Sequence, residues 1–226
     1  MRIIEINDFK SYLESILDSQ KLGSSAMDKN IEQLVLVHLY NKIQMLLQTK
    51  LRDVEILGNL ARSILEIELM IKWLRQGYDS RTQTSLLKNY ERFKVEAQQG
   101  NIDLMRSMQP LLMAEAQSNE HRSMLDEEFS KNLTELQPNT EESKTKAISP
   151  LKDPKKIAST LGMSLRFNAY YEMFSKVSHP TPWVICLPEN KDDGNSLRYE
   201  AIAAITESLG EIKERIPFLN ILSKST

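Results

Sequence analysis

A chain of 226 residues with 29 Lys and Arg against 31 Asp and Glu carries a net charge of −2, so it has length enough to bury a substantial core and no global field that would draw it to nucleic acid or an anionic membrane. Its lone cysteine, Cys186, excludes an intramolecular disulfide and points to a reducing cytoplasm. The amino terminus lacks the apolar core of a signal peptide, the richest apolar run, Leu34 to Tyr40, is too short to span a bilayer, and no glycine-rich phosphate loop, zinc-type Cys/His spacing or Gly-x-Ser-x-Gly elbow is found, so a cytoplasmic protein without a membrane partner is expected.

Asn7 or Asp8 is placed to cap a first helix carrying Phe9, Leu13, Ile16 and Leu17, with Gly23 as its stop. Asp28 is placed to cap a second, from about Lys29 to Thr49, on which Ile31, Leu34, Val35, His38, Ile43, Leu46 and Leu47 recur at helical spacing. In that apolar setting His38 reads as a hydrogen-bonded core residue. The third helix, about Asp53 to Gln76, is apolar on nearly all sides: Leu57, Leu60, Ile64, Ile67 and Ile71 make one face, with Leu69, Met70 and Trp73 across from it. Such a helix belongs in the middle of a bundle, and Gly77 supplies its end. Ser80 can cap a fourth helix reaching Gln99, and Asn101 to Gln137 reads as further helix interrupted or bent at Pro110. Met105, Met108, Met113 and Met124 fit either gap-filling in a core or an adaptable partner surface.

From Pro138 to Lys152 apolar anchors almost vanish, which reads as a mobile connection. Lys144, Lys146, Lys152, Lys155 and Lys156 are diluted by Glu141, Glu142 and Asp153, the pattern of a solvated segment rather than a basic patch. Asp153-Pro154 offers a cap and a first turn for a short helix with Ile157, Ala158 and Leu161, closed by Gly162. Ser164 restarts a helix up to Ser178. Trp183 to Leu187 fits an extended segment, Pro188 to Asn195 a loop, and Ser196 a cap for the last long helix through Ala201, Ile202, Ile205 and Leu209 toward Ile216. The fold class expected is all-α: a multi-helix bundle of about seven or eight helices, one domain over residues 1–226 with a mobile internal connection around 138–152 and an irregular or extended segment near 183–187.

The most informative polar pattern is Tyr171-x3-Ser175-x3-His179-Pro180, which lines three polar side chains along one helix edge and ends that helix at a proline. His179 then lies beside unsatisfied carbonyls that favour a protonated imidazole, a group that titrates near neutral pH. Arg62 and Glu66 sit one turn apart on the third helix, on a face that continues into Leu69 and Trp73. Both charges are therefore expected to be partly buried and paired. Arg ahead of Glu is the weaker order within a helix, which leaves room for a partner among Tyr171, Ser175 and His179. Glu66 and His179 alone are too few ligands for a metal, and no metal or cofactor is expected.

Arg62-Ser63-Ile64-Leu65-Glu66, followed by Tyr171-x3-Ser175-x3-His179-Pro180, resembles a widespread, mostly bacterial all-helical family catalogued as a domain of unknown function. The resemblance spans roughly Leu46 to His179 and implies a bundle that joins the two segments. More distantly the chain is similar to HEPN domains, helical modules of toxin and phage-defence ribonucleases whose signature is Arg followed four to six residues later by His. The nearest Arg before His179 is Arg166, too far upstream for that motif, and Glu120-His121-Arg122 has the order reversed.

Two functions follow as expectations. In the first the chain is a cytoplasmic helical effector or regulatory domain acting as a metal-independent ribonuclease in a toxin or phage-defence system: His179 is the general acid or base on an RNA substrate, Arg62 holds the phosphate, Glu66 and Tyr171 orient those groups, and Ser175 completes the site. In the second it is a non-catalytic interaction module with a protein partner or a second copy of itself, and the same five residues are a structural polar layer.

Overall fold

The computed structural model describes residues 2–20, 31–49, 53–79, 83–116, 118–136, 153–178 and 191–216. Among these the regular elements are eight α-helices and no strand: α1 Arg2–Gln20, α2 Ile31–Gln48, α3 Val54–Asp79, α4 Gln83–Glu115, α5 Asn119–Leu136, α6 Pro154–Thr160, α7 Ser164–Val177 and α8 Lys191–Lys213. The chain is all-α. Cysteine 186, the 138–152 connection, the 183–187 segment and the expected caps at Asp28 and Ser80 lie outside the described residues.

Several boundaries differ from the pattern reading. Helix α1 begins at Arg2, so Asn7 and Asp8 lie inside it rather than capping it. Its buried face includes Ile6, ahead of the polar pair, with Phe9, Leu13 and Ile16. Helix α3 runs past Gly77 to Asp79. Helix α4 is continuous through Gly100 and Pro110, and the break falls at 116–118. A proline there removes the partner of the Arg106 carbonyl, but both residues are exposed and water can satisfy it. Ser118 opens α5, its Oγ accepting from the His121 N–H at 3.1 Å. Helix α8 starts at Lys191, taking in residues 191–195 read as loop and leaving Ser196 internal.

The cap read at Asp153 is present: its Oδ1 accepts from the Lys156 N–H at 3.0 Å ahead of Pro154. Asp53 caps α3 in the same way, its Oδ1 accepting from the Ile56 N–H at 3.0 Å. Gly162 has φ +70°. Its N–H reaches the Ser159 carbonyl at 3.2 Å and the Met163 N–H reaches Ala158 at 2.8 Å, the paired bonds of a Schellman stop that only glycine enters without steric cost.

The described helices belong to two compact units, Met1–Gln76 with Pro150–Thr226, and Gly77–Ser149. In the first, α1 packs on α2 and α8, and α6 on α7. Helix α3 is its centre: Leu57, Leu60, Ala61, Ile64, Leu65, Ile67, Leu69, Ile71, Trp73 and Leu74 are all buried. Each of the leucine and isoleucine side chains contributes about 1.5–3 kcal/mol relative to exposure. Tyr40 of α2 donates to Glu14 Oε1 of α1 at 2.7 Å, and Lys10 holds the same carboxylate at 2.7 Å. His38 is exposed rather than in the core, as is Leu34, because the buried stripe of α2 runs through Val35, Leu36, Leu39, Ile43 and Leu46. In the second unit α4 and α5 pack together, burying Val95, Ile102, Ala116 and Phe129.

Candidate functional site

Helices α3 and α7 run antiparallel, since Gly58 meets Val177, Arg62 meets Tyr171 and Glu68 meets Arg166. Gly58 sets how close they come: a Cβ there would lie 3.0 Å from Val177 Cγ1 and 3.7 Å from Phe174 Cδ1. One turn along, Arg62 is held from two sides. Its Nε donates to Glu66 Oε1 at 3.1 Å and its Nη2 to the Tyr171 hydroxyl at 3.0 Å, while Cζ lies 4.7 Å from the centroid of the Tyr171 ring. That ring stacks at 5.1 Å on Phe167, which is fully buried. The aromatic anchor fixes the ring, and the ring fixes the guanidinium.

Partial burial opposes the Arg62 charge, but the Glu66 hydrogen bond and charge, together with Tyr171, outweigh it and hold the guanidinium above its ordinary value. The Arg62 side chain remains 27% exposed and that of Glu66 43%, so this pair is half in water. Ser175 follows one turn after Tyr171, but its hydroxyl is spent on its own helix, donating to the Tyr171 carbonyl at 2.5 Å. Arg62, Glu66 and Tyr171 are therefore brought together across two helices, Ser175 stands beside them, and His179 lies outside the described residues. Among the described residues no three His, Cys, Asp or Glu converge as a metal site, and no helix is long and apolar enough to cross a membrane.

A second polar layer, less than two turns further along α3, escaped the pattern reading. Glu68 is fully buried. Arg166 of α7 donates from Nη2 to Glu68 Oε2, and Lys72 Nζ pairs with Oε1 at 2.8 Å. Lys72 also reaches Glu211 Oε2 of α8 at 2.8 Å, Arg215 grips the same carboxylate at 2.9 Å, and Arg166 Nη1 lies 3.7 Å from Glu207. Three acids and three bases thus tie α3, α7 and α8. The Lys72 hydrogen bond, with the charges of Lys72 and Arg215, holds the Glu211 carboxyl below the usual carboxylate range against the opposing effect of burial. The sequence did carry a signal: Ile67-Glu68-Leu69 puts a carboxylate between apolar neighbours on a helix that is apolar all round, and Glu68-x3-Lys72 is the favourable intrahelical order.

No protein-family model, curated protein or solved structure matches this chain.

Proposed function

We propose that the chain is a helical interaction or regulatory module in which the Arg62, Glu66 and Tyr171 cluster clamps α7 onto α3. The observation that carries this reading is that the described polar groups of the candidate site are engaged with one another. Glu66 neutralises Arg62, the Tyr171 hydroxyl accepts from Arg62, and the Ser175 hydroxyl is bound to the backbone. One observation favours a second reading as a metal-independent ribonuclease: Arg62 stays partly exposed while Glu66 and Tyr171 orient it, which is how a phosphate-holding arginine is pre-organised. The two readings separate when purified protein is incubated with RNA in chelator and thermal unfolding is followed on the same preparations. The module predicts intact RNA. Cleavage that disappears in Arg62→Ala and His179→Ala while both variants unfold at the native temperature would replace it with the ribonuclease.

A further inference from the structure

Helix α4 runs unbroken for 33 residues from Gln83 to Glu115, although its middle carries a stop followed at once by a start. Gly100 is the residue type that closes a helix in the left-handed C′ position. Asn101 is the type that caps the next one, and Asp103 would then fall in a first turn where its charge complements the helix dipole. The unbroken helix leaves the stop unused. Among the described residues Gly162 is the glycine with a positive φ, so Gly100 keeps ordinary helical backbone, and a Cβ built on it would meet no atom within 4 Å. Neither packing nor turn geometry asks for glycine here, and inside a helix glycine is less stable than alanine.

The same point is where cover by α5 ends. Helices α4 and α5 pack together across the short turn at 116–118, and Gln109 Nε2 donates to Asp126 Oδ1 at 2.9 Å, so they run antiparallel. Counting ten residues away from the turn along each helix brings Leu136, the last residue of α5, level with Gln99. Buried Ile102 lies on the α5 side of this junction, whereas Val95 and Glu96, buried as well, lie beyond the end of α5. Between them Gly100 is exposed. Gln99 Nε2 donates to Asp103 Oδ1 at 2.8 Å across the junction, an exposed bond that water replaces at small loss. Pro110, the other interruption in α4, falls level with about Leu125, where the paired helix splints it.

We propose that Gln99 to Asp103 is a built-in hinge. Helix α4 exchanges between one helix and two that meet at Gly100 and Asn101, so that residues 83–99 swing as an arm on the α4–α5 hairpin. In the broken form Gly100 takes the left-handed stop, Asn101 accepts from the Leu104 N–H as a cap, and the Ile102 and Asp103 amides lose the Gln98 and Gln99 carbonyls. Each form satisfies a different set of backbone groups, which makes the element bistable. The hinge stands whichever reading of the α3 and α7 cluster holds.

Nitroxide labels at Lys88→Cys and Ala114→Cys, in the full chain with Cys186→Ser, read the arm by double electron–electron resonance. An unbroken helix sets the two Cα atoms about 39 Å apart, and a bend of about 60° at Gly100 shortens that by roughly 5 Å. Both populations should be present. Gly100→Ala and Asn101→Ala should each lower the ratio of bent to straight chains at least about twofold with helix content kept, and Gly210→Ala, whose methyl also meets open space, should leave it unchanged. Hydrogen exchange should place the break, with the Ile102 and Asp103 amides faster than those on either side and slowed by Gly100→Ala. A single population at the straight distance overturns the hinge. So does a bent population that Gly100→Ala leaves in place, which would put the bend at Pro110.

Discussion

Arg62 and Glu68 stand less than two turns apart on the same helix and both bond to α7, yet their surroundings are opposite. Arg62 lies half in water, against the face of a tyrosine, with a carboxylate that is itself 43% exposed. Glu68 is sealed, with the cations of Arg166 and Lys72 against its two oxygens. Both layers join helices, but a half-solvated pair gains little over water, whereas a buried carboxylate deprived of its cation retains a desolvation cost that nothing else offsets. The conspicuous motif is thus the weaker strut.

Removing Arg166 gives the sharpest attempt to break this contrast. Arg166→Ala leaves Glu68 with Lys72 alone and should cost about 3–5 kcal/mol in urea unfolding. Replacing Glu68 and Arg166 together by apolar residues of similar size should recover much of that loss. A loss below that of Arg62→Ala would invert the ranking. Gly58→Ala should come next, at about 1–3 kcal/mol, because the new methyl meets the β-branched Val177 at 3.0 Å and the helices must part. Arg62→Ala and Tyr171→Phe should each cost no more than about 1 kcal/mol, and their double-mutant cycle should show coupling of roughly 0.5–1 kcal/mol from the hydroxyl contact. Additivity of the two would remove direct contact from the account.

Acid titration sharpens the contrast further. The folded-state carboxyl of Glu211 is held below its ordinary value of 4.5, so its contribution is present above that value and is lost as pH falls through it toward the lower folded value. Glu211→Gln should flatten the acid limb of the stability curve in that window and leave its neutral plateau sloping as before. The smallest effect belongs to Lys155 and Glu172, whose 2.7 Å pair joins two half-exposed side chains. Lys155→Ala should not measurably move thermal unfolding.

The helical class, the central place of α3 and the cap at Asp153 were legible because each rests on neighbours within a few residues. Periodicity carries through Leu57, Leu60, Ile64 and Ile71, and a cap needs only an oxygen three residues before an N–H. The starts of α1 and α8 were misplaced for the same reason: Asn7, Asp8 and Ser196 have capping chemistry, but helical residues already formed from Arg2, with Ile6 buried, and from Lys191 carry the helices past them. Of the site, the Arg62 and Tyr171 meeting was readable as a pair of complementary edges. The Glu68 layer was harder, since Arg166 comes from a helix about a hundred residues away and only three-dimensional packing brings it and Glu211 to the Glu68 and Lys72 pair.

The six-member ion network also sets how the molecule can come apart. With Glu68 at its buried end and Glu207 and Glu211 on α8, neither α7 nor α8 can lift from α3 without stranding charge. Amide protons on the inner faces of all three helices should then exchange with solvent through one shared opening rather than three, while α1 and α2, whose polar tie through Glu14 and Tyr40 stands apart from that network, fray on their own schedule.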